Sequence, residues 1–170
     1  MLNYNIRISG VKDGNHEYFF NIDSLFFESF VDPDVTNSQI KVYSTLLKDG
    51  NKLKLSLKIE GEIYNLVCDL CASSMIVSIQ NSISVLLQEN EGEMDDTDEI
   101  LYIQPNQHEI DISQLIYEGI ILSIPSKREH RGTEEDNCDK KMMALLDKYA
   151  EKNEKNDPRW DELNKLKDLI

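Results

Sequence analysis

The chain has 170 residues, 40% of them hydrophobic and 29% charged, which predicts a globular protein with one modest core. Its formal net charge of −14 argues against broad electrostatic binding to naked nucleic acid. No apolar run approaches the roughly 20 residues of a membrane span, and Met1 to Arg7 lack a basic-then-apolar signal pattern, so a cytoplasmic location is expected.

The first third of the chain is predicted to be rich in strands. Residues 4–8 alternate between apolar and polar, which is the period of a half-buried strand. Asp13-Gly14 supplies a turn before the apolar stretch 18–22. Asp23 is then expected to cap a short helical turn. The apolar side chains of this turn are expected to pack in the core rather than to line a binding groove; they are Leu25, Phe26, Phe27 and Phe30.

A β-hairpin follows around the turn Lys48-Asp49-Gly50-Asn51. The odd-numbered residues from 53 to 59 are apolar, so one face of the returning strand is expected to be buried. The opposite face carries Lys52, Lys54 and Lys58. These lysines could grip RNA phosphates, or they could only solubilise the strand and discourage edge pairing.

The middle of the chain is predicted to hold two further strands and an acidic loop. Gly61 is expected to end the hairpin strand, so that residues 63–67 form a separate short strand before Cys68. Residues 75–87 alternate as a long strand. Residues 89–99 are crowded with carboxylates in an order that does not match a calcium-binding loop, and a solvated loop is expected there.

The C-terminal half is predicted to hold two brief strands followed by helices. Brief strands are expected at 100–103 and 109–112, and Ser113 is expected to cap a helix that ends before Pro125. Residues 127–137 are polar and expected to be irregular. The apolar spacing in 139–151 is helical, and Asp157-Pro158 is a helix start.

These elements predict an α+β fold, with a mostly antiparallel sheet or partly open barrel and C-terminal helices. Residues 1–126 are expected to form the strand-rich core with one or two short helices. Residues 127–170 are expected to form a loop and helices that pack on this core or extend from it.

Three motifs occur in order along the chain. The first, residues 61–71, is a glycine and a strand followed by Cys68-Asp69-Leu70-Cys71. The second comprises Glu109-Ile110-Asp111-Ile112 and the stretch 117–125, which ends in Leu-x-x-Pro, and the third is the run Asp157-Pro158-Arg159-Trp160. Together they resemble the YceD family of bacterial large-subunit ribosomal RNA accumulation proteins, in particular its Bacteroidetes-like branch. Leu70 departs from the arginine usual there.

The resemblance implies a factor that promotes accumulation or processing of large-subunit ribosomal RNA through precursor RNA, a ribosomal protein or both. RNA contacts are then expected from basic residues outside the acidic middle, namely Lys52, Lys54, Lys58, Lys127, Arg128 and Arg131. The alternative is an adaptor that binds a basic partner protein through residues 89–99 without touching RNA. An enzyme is not expected, because the sequence has no Gly-rich phosphate loop, nucleophile elbow or His-x-x-x-His helix.

The resemblance also bears on the three cysteines. Many members of the family have a second cysteine pair after the proline, where this chain has His130 and Cys138. With Cys68 and Cys71 these residues could form a Cys₃His zinc site, which would be structural because protein atoms fill all four positions. Buried free thiols are the alternative, since the spacing from His130 to Cys138 is wider than usual for metal ligands.

Overall fold

The computed structural model describes residues 4–30, 35, 37–90, 97, 99–130 and 138–150. These residues form seven strands and three helices. The strands are β1 (Asn5–Arg7), β2 (Gly14–Ile22), β3 (Ser38–Asp49), β4 (Lys52–Val67), β5 (Ser74–Glu89), β6 (Ile100–Ile103) and β7 (Glu109–Asp111). The helices are α1 (Ser24–Phe27), α2 (Ser113–Ser123) and α3 (Lys140–Tyr149).

The main sheet has five strands in the order β2-β3-β4-β5-β6, and β1 and β7 form a separate antiparallel pair. All neighbours in the main sheet are antiparallel except β5 and β6, which are parallel. The five-stranded sheet is open, with β2 and β6 at its edges. The predicted α+β class with a mostly antiparallel sheet is therefore confirmed.

The predicted hairpin is formed by β3 and β4, with Asp49 paired to Lys52 across the turn. Its inner face is buried through Leu55, Leu57 and Ile59. The lysines of β4 point to the outer face and are exposed. Strict alternation and the Asp-Gly turn were sufficient to predict this unit, because both signals act over a few neighbouring residues.

The expected break at Gly61 is wrong, because β4 continues through it to Val67. A Cβ atom at Gly61 would lie 2.6 Å from Ile40 Cα and closer still to the carbonyl oxygen of Gln39. Glycine therefore allows β3 and β4 to approach each other closely here and does not end the strand. The irregularity comes later, where the register with β5 shifts between Ile63 and Leu66.

The core lies on the inner face of the main sheet, against the helices α1 and α2. Gly119 of α2 packs on the side chains of Ile59 and Ile83, and Asn81 Nδ2 donates a hydrogen bond to its carbonyl oxygen at 2.8 Å. Ser113 was expected to cap α2, and this is wrong. The N-cap residue is Ile112, and Ser113 is the first residue of the helix. The Asp111 carboxylate accepts a hydrogen bond from the Ser113 backbone N–H at 2.8 Å and so satisfies a donor of the first turn.

The short helix α1 begins as predicted, with Asp23 Oδ1 accepting a hydrogen bond from Leu25 N at 3.0 Å. Phe26 and Phe27 are buried, whereas Leu25 is 57% exposed. Phe30 stacks on Tyr117 of α2 with ring centroids 4.2 Å apart. The predicted aromatic core is therefore confirmed for the phenylalanines and wrong for Leu25.

Helix α3 confirms the helix predicted from the spacing in 139–151, and Asp139 caps it. None of its residues is buried. The predicted helix after Asp157 and most of the acidic segment 89–99 lie outside the described residues. Within the part of the chain that the structure describes, every helix is too short or too polar to span a membrane.

Candidate metal centre

Cys68 and Cys71 lie in the turn that joins β4 to β5. The Cys68 backbone N–H donates to Ser73 O at 2.9 Å, and the Ala72 N–H donates to Cys68 O at 2.9 Å. Ala72 takes a positive φ of 56°, which lets the chain reverse after Cys71. Both cysteines are buried, with 1% and 3% of their surface exposed, and both are free thiols.

A second segment, residues 126–130, is held against this turn and is called the strap. The Arg128 N–H donates to Asp69 Oδ2 at 2.7 Å, and the Asp69 N–H donates to Arg128 O at 2.8 Å. The Arg128 guanidinium also lies 3.5 Å from Asp69 Oδ1. Asp69 thus forms hydrogen bonds with both the N–H and the carbonyl oxygen of Arg128, and this positions His130 two residues further on.

Cys138 comes from a third segment, directly before α3. The next residue, Asp139, accepts hydrogen bonds from Lys141 N at 2.7 Å and Met142 N at 3.4 Å. This cap fixes the start of the helix and with it the position of Cys138.

The four predicted ligand residues come together in one cluster. Their ligand atoms all lie within 4.8 Å of one another. Cys68 Sγ is 3.8 Å from Cys138 Sγ. His130 Nδ1 is 3.5 Å from Cys71 Sγ and 3.6 Å from Cys138 Sγ.

These distances can be compared with the edges of a tetrahedral zinc site. Zn–S bonds of ~2.3 Å and Zn–N bonds of ~2.0–2.1 Å give S···S edges of about 3.8 Å and S···N edges of about 3.6 Å. The S···S distance of 3.8 Å and the two S···N distances of 3.5 and 3.6 Å agree with those values. Three edges of the cluster therefore match a tetrahedral site, and the Cys₃His donor set could hold a four-coordinate metal ion.

The surroundings of Cys71 and Cys68 favour thiolates, which are the form that binds metal. Burial opposes ionisation of Cys71, but the backbone N–H groups of Asp139 and Ser73 point at its sulfur and lower its pKa to about 6. Burial also opposes ionisation of Cys68. There the N–H groups of Cys71, Leu70 and His130 outweigh it, so the pKa is again lowered.

The pKa values of Cys138 and His130 are both raised, in part by these thiolates. Burial and the neighbouring Cys68 and Cys71 sulfurs raise the pKa of Cys138 to about 11. Burial alone would lower the pKa of His130, but hydrogen bonding to Cys68 and the negative charge of the two thiolates raise it. The cluster therefore concentrates negative charge on sulfur, and a divalent cation would neutralise that charge.

The predicted RNA-contacting residues fall into two separate groups. Lys52, Lys54 and Lys58 are exposed on the outer face of β4. Lys127 and Arg128 belong to the strap. The strap lies against the turn that contains Cys68, and the ten residues of extended chain from Lys58 to Cys68 span about 33 Å. Arg131 lies outside the described residues.

Three of these basic side chains are paired with carboxylates. Lys58 forms an ion pair with Glu60 at 2.8 Å, Lys127 pairs with Glu129, and Arg128 pairs with Asp69. Lys52 and Lys54 form no ion pair with any described residue. Lys52 and Lys54 therefore differ from the other three described residues of this set, because no described carboxylate pairs with them.

Asp69 is a residue of the centre that the sequence did not reveal. Its role depends on contact with Arg128, which is 59 residues away in the chain and is held largely by backbone atoms. An acidic residue inside Cys-x-x-Cys is the one local signal, and by itself it does not indicate a partner.

A family model described as Large ribosomal RNA subunit accumulation protein YceD matches residues 55–167 of the chain. This range is well over half of the sequence. It contains the three motifs and all four residues of the cluster, whereas Lys52 and Lys54 precede it. No curated protein and no solved structure gives a significant match.

Proposed function

The chain belongs to the YceD family, described as large ribosomal RNA subunit accumulation proteins, and from this premise we propose that it promotes accumulation or processing of large-subunit ribosomal RNA by binding precursor RNA. The name of the family ties the chain to the large ribosomal RNA subunit. Contact with RNA is the further step that we propose here.

The observation that carries this step is the exposed lysine end of β4. Lys52 and Lys54 stand on the outer face of the main sheet without a described carboxylate partner, in a chain whose net charge is −14. Positive charge that is not paired locally can neutralise phosphates and release counterions. The strong overall negative charge limits this contact to a small site and opposes non-specific coating of RNA.

Reversing the charge at this site is expected to weaken the association with RNA. In Lys52→Glu with Lys54→Glu, about two phosphate contacts become repulsive, and recovery of large-subunit precursor RNA in a tagged pull-down should fall about tenfold or more. The matched control is Lys140→Glu with Lys141→Glu, which makes the same change of charge at exposed positions of α3. Equal recovery with both double variants would remove the β4 lysines from the proposal.

Treatment of the pull-down with RNase separates RNA binding from the adaptor alternative. Loss of ribosomal components on RNase treatment is expected if RNA holds the complex together. Recovery of one basic ribosomal protein regardless of RNase would contradict direct RNA binding and would favour an adaptor that uses the acidic segment 89–99.

We also propose that the cluster binds Zn²⁺ as a structural ion. Support comes from the Cys₃His donor set, the tetrahedral distances and the lowered pKa of Cys71. Cys68, Cys71, His130 and Cys138 would hold the ion, which would supply charge neutralisation and a link between the β4–β5 turn, the strap and α3. Because protein atoms would fill all four positions, no coordination site would remain for a substrate.

Asp69→Ala is expected to weaken zinc binding although Asp69 is not a ligand. The change removes the acceptor of the Arg128 N–H and the ion pair, so His130 is no longer held in place before the metal arrives. Loss of such supporting contacts costs about 10- to 100-fold in metal affinity. Competition with a chromogenic chelator would measure this, with Asp13→Ala, an exposed carboxylate outside the cluster, as control. An affinity equal to that of the control would show that the strap is held by its backbone alone.

A further inference from the structure

The outer face of the main sheet carries a pair of exposed aromatic rings. Phe19 of β2 and Tyr43 of β3 are direct partners in the strand register, and their ring centroids are 5.2 Å apart with an interplanar angle of 50°. Phe19 is 50% exposed and Tyr43 is 41% exposed. The neighbouring Phe20 faces the core side and contacts Tyr4, so it is Phe19 that the alternation of β2 turns outward.

A lysine continues this row on the next strand. Lys58 of β4 is the register partner of Tyr43, and its Nζ lies 6.0 Å from the centre of the Tyr43 ring. Neighbouring strands are about 4.8 Å apart, so two rings and one ammonium group follow each other at regular steps across the sheet. Lys54, four residues before Lys58, projects from the same face of β4.

We propose that this row, called the platform, binds single-stranded RNA, with bases stacked on Phe19 and Tyr43 and phosphates held by Lys54 and Lys58. This deepens the proposed function and rests on it. Exposed aromatic rings on a sheet are a common way of holding unpaired bases, because every base has a flat π-surface. A duplex keeps its bases stacked inside and cannot offer them to the rings.

The charges around the platform suit an RNA partner better than a basic protein. The lysines lie along one part of the outer face of β4, and the carboxylates Glu60 and Glu62 follow towards the other end. On the two strands that carry the rings, Lys41 of β3 and Glu17 of β2 are exposed on the same face. Lys58 is paired with Glu60, but both side chains are well exposed, at 53% and 39%, and such a pair exchanges readily for a phosphate. A basic protein would meet these lysines with like charge.

The charge balance also sets how the affinity should depend on salt. The platform offers about two lysines, so the slope of log K against log salt concentration for a single strand should be about −1.4. Stacking, which depends little on salt, would then carry most of the affinity. A steep slope of about −4 or beyond would indicate a larger basic surface and would contradict the platform.

The direct test measures binding of a fluorescently labelled 12-nucleotide oligouridine to the full chain by anisotropy. Phe19→Leu and Tyr43→Leu keep an apolar side chain on the strand but remove the ring. Each is expected to weaken binding about tenfold, because one stacked base is lost. The matched control is Ile76→Thr, since Ile76 is 56% exposed on the outer side of β5, outside the row. A 12-base-pair RNA duplex should bind about tenfold or more weakly than the single strand.

The outcomes separate the platform from the function on which it rests. Loss of oligouridine binding in both leucine variants, with wild-type melting temperatures, supports the platform. Unchanged binding in these variants overturns it, and the proposed function then stands if precursor RNA is still recovered in the pull-down. Ring-dependent binding of oligouridine by a chain that recovers no ribosomal RNA would keep the platform and overturn the function. Ring-dependent self-association in sedimentation, without RNA binding, would also overturn the platform.

Discussion

Cys71→Ser is expected to lower the melting temperature of the zinc-loaded protein by roughly 8–16 °C. A bound ion present at about 1,000 times its Kd stabilises a fold by about 4 kcal/mol, and each 1 kcal/mol shifts the melting temperature by about 2–4 °C in a chain of this size. Within the cluster, the pKa of Cys71 is lowered to about 6, so its thiolate would be readily available to a metal ion.

The largest local effect of this loss is expected in α3. None of the residues of α3 is buried, so apolar packing on the core gives the helix little support. Cys138, directly before its cap, approaches Cys68 Sγ to 3.8 Å and would tie the start of the helix to the β4–β5 turn through the ion. Hydrogen exchange of the α3 amides should therefore accelerate in Cys71→Ser far more than exchange in β4.

The control for the zinc prediction is a matched pair of histidine variants. His130→Asn removes a proposed ligand, whereas His108→Asn removes an exposed imidazole that contacts Ser9 Oγ outside the cluster. Melting is measured with stoichiometric zinc and with a strong chelator. The wild type and His108→Asn should each lose stability on chelation, and His130→Asn should respond little. A wild type that melts at the same temperature in both conditions would indicate that the cysteines are buried thiols without a metal role.

Sequence patterns predicted the parts of this fold that depend on near neighbours. The hairpin of β3 and β4 follows from strict alternation and an Asp-Gly turn, and the cap of α1 follows from Asp23. The same reasoning failed at Gly61, because the reason for glycine there is the backbone of Gln39 and Ile40 on the neighbouring strand. A contact of that kind leaves no periodic trace in the sequence.

In the metal cluster and the platform, too, some residues have a local sequence signal and others depend on distant contacts. The four residues of the cluster could be predicted to lie together because cysteine and histidine are rare in this chain and chemically specific. Their supporting residue Asp69 could not, since its partner Arg128 is distant in sequence. The exposure of Phe19 could not be predicted for another reason. In the run Tyr18-Phe19-Phe20 all residues are aromatic, so the sequence does not indicate which of them faces solvent.

Gly61→Ala is expected to lower the free energy of unfolding by about 3 kcal/mol or more, because overpacking against atoms that cannot yield is among the costlier single substitutions. The added Cβ would lie 2.6 Å from Ile40 Cα and closer still to Gln39 O. Both are backbone atoms of β3, which is held on its other side by β2 through the pairing of Ile22 with Ile40. Relief would require β3 and β4 to separate and lose ladder hydrogen bonds.

Gly119→Ala is the matched comparison, since it adds the same methyl group at a buried glycine. There the Cβ would meet the Cδ1 atoms of Ile59 and Ile83, each at 2.5 Å. These are the ends of side chains that can change rotamer, so the loss should be smaller, about 1–2 kcal/mol. Urea unfolding followed by circular dichroism would measure both variants. If Gly61→Ala proved no less stable than Gly119→Ala, the close approach of β3 and β4 would not be what requires glycine at position 61, and the glycine that precedes the Cys-x-x-Cys turn would need another explanation.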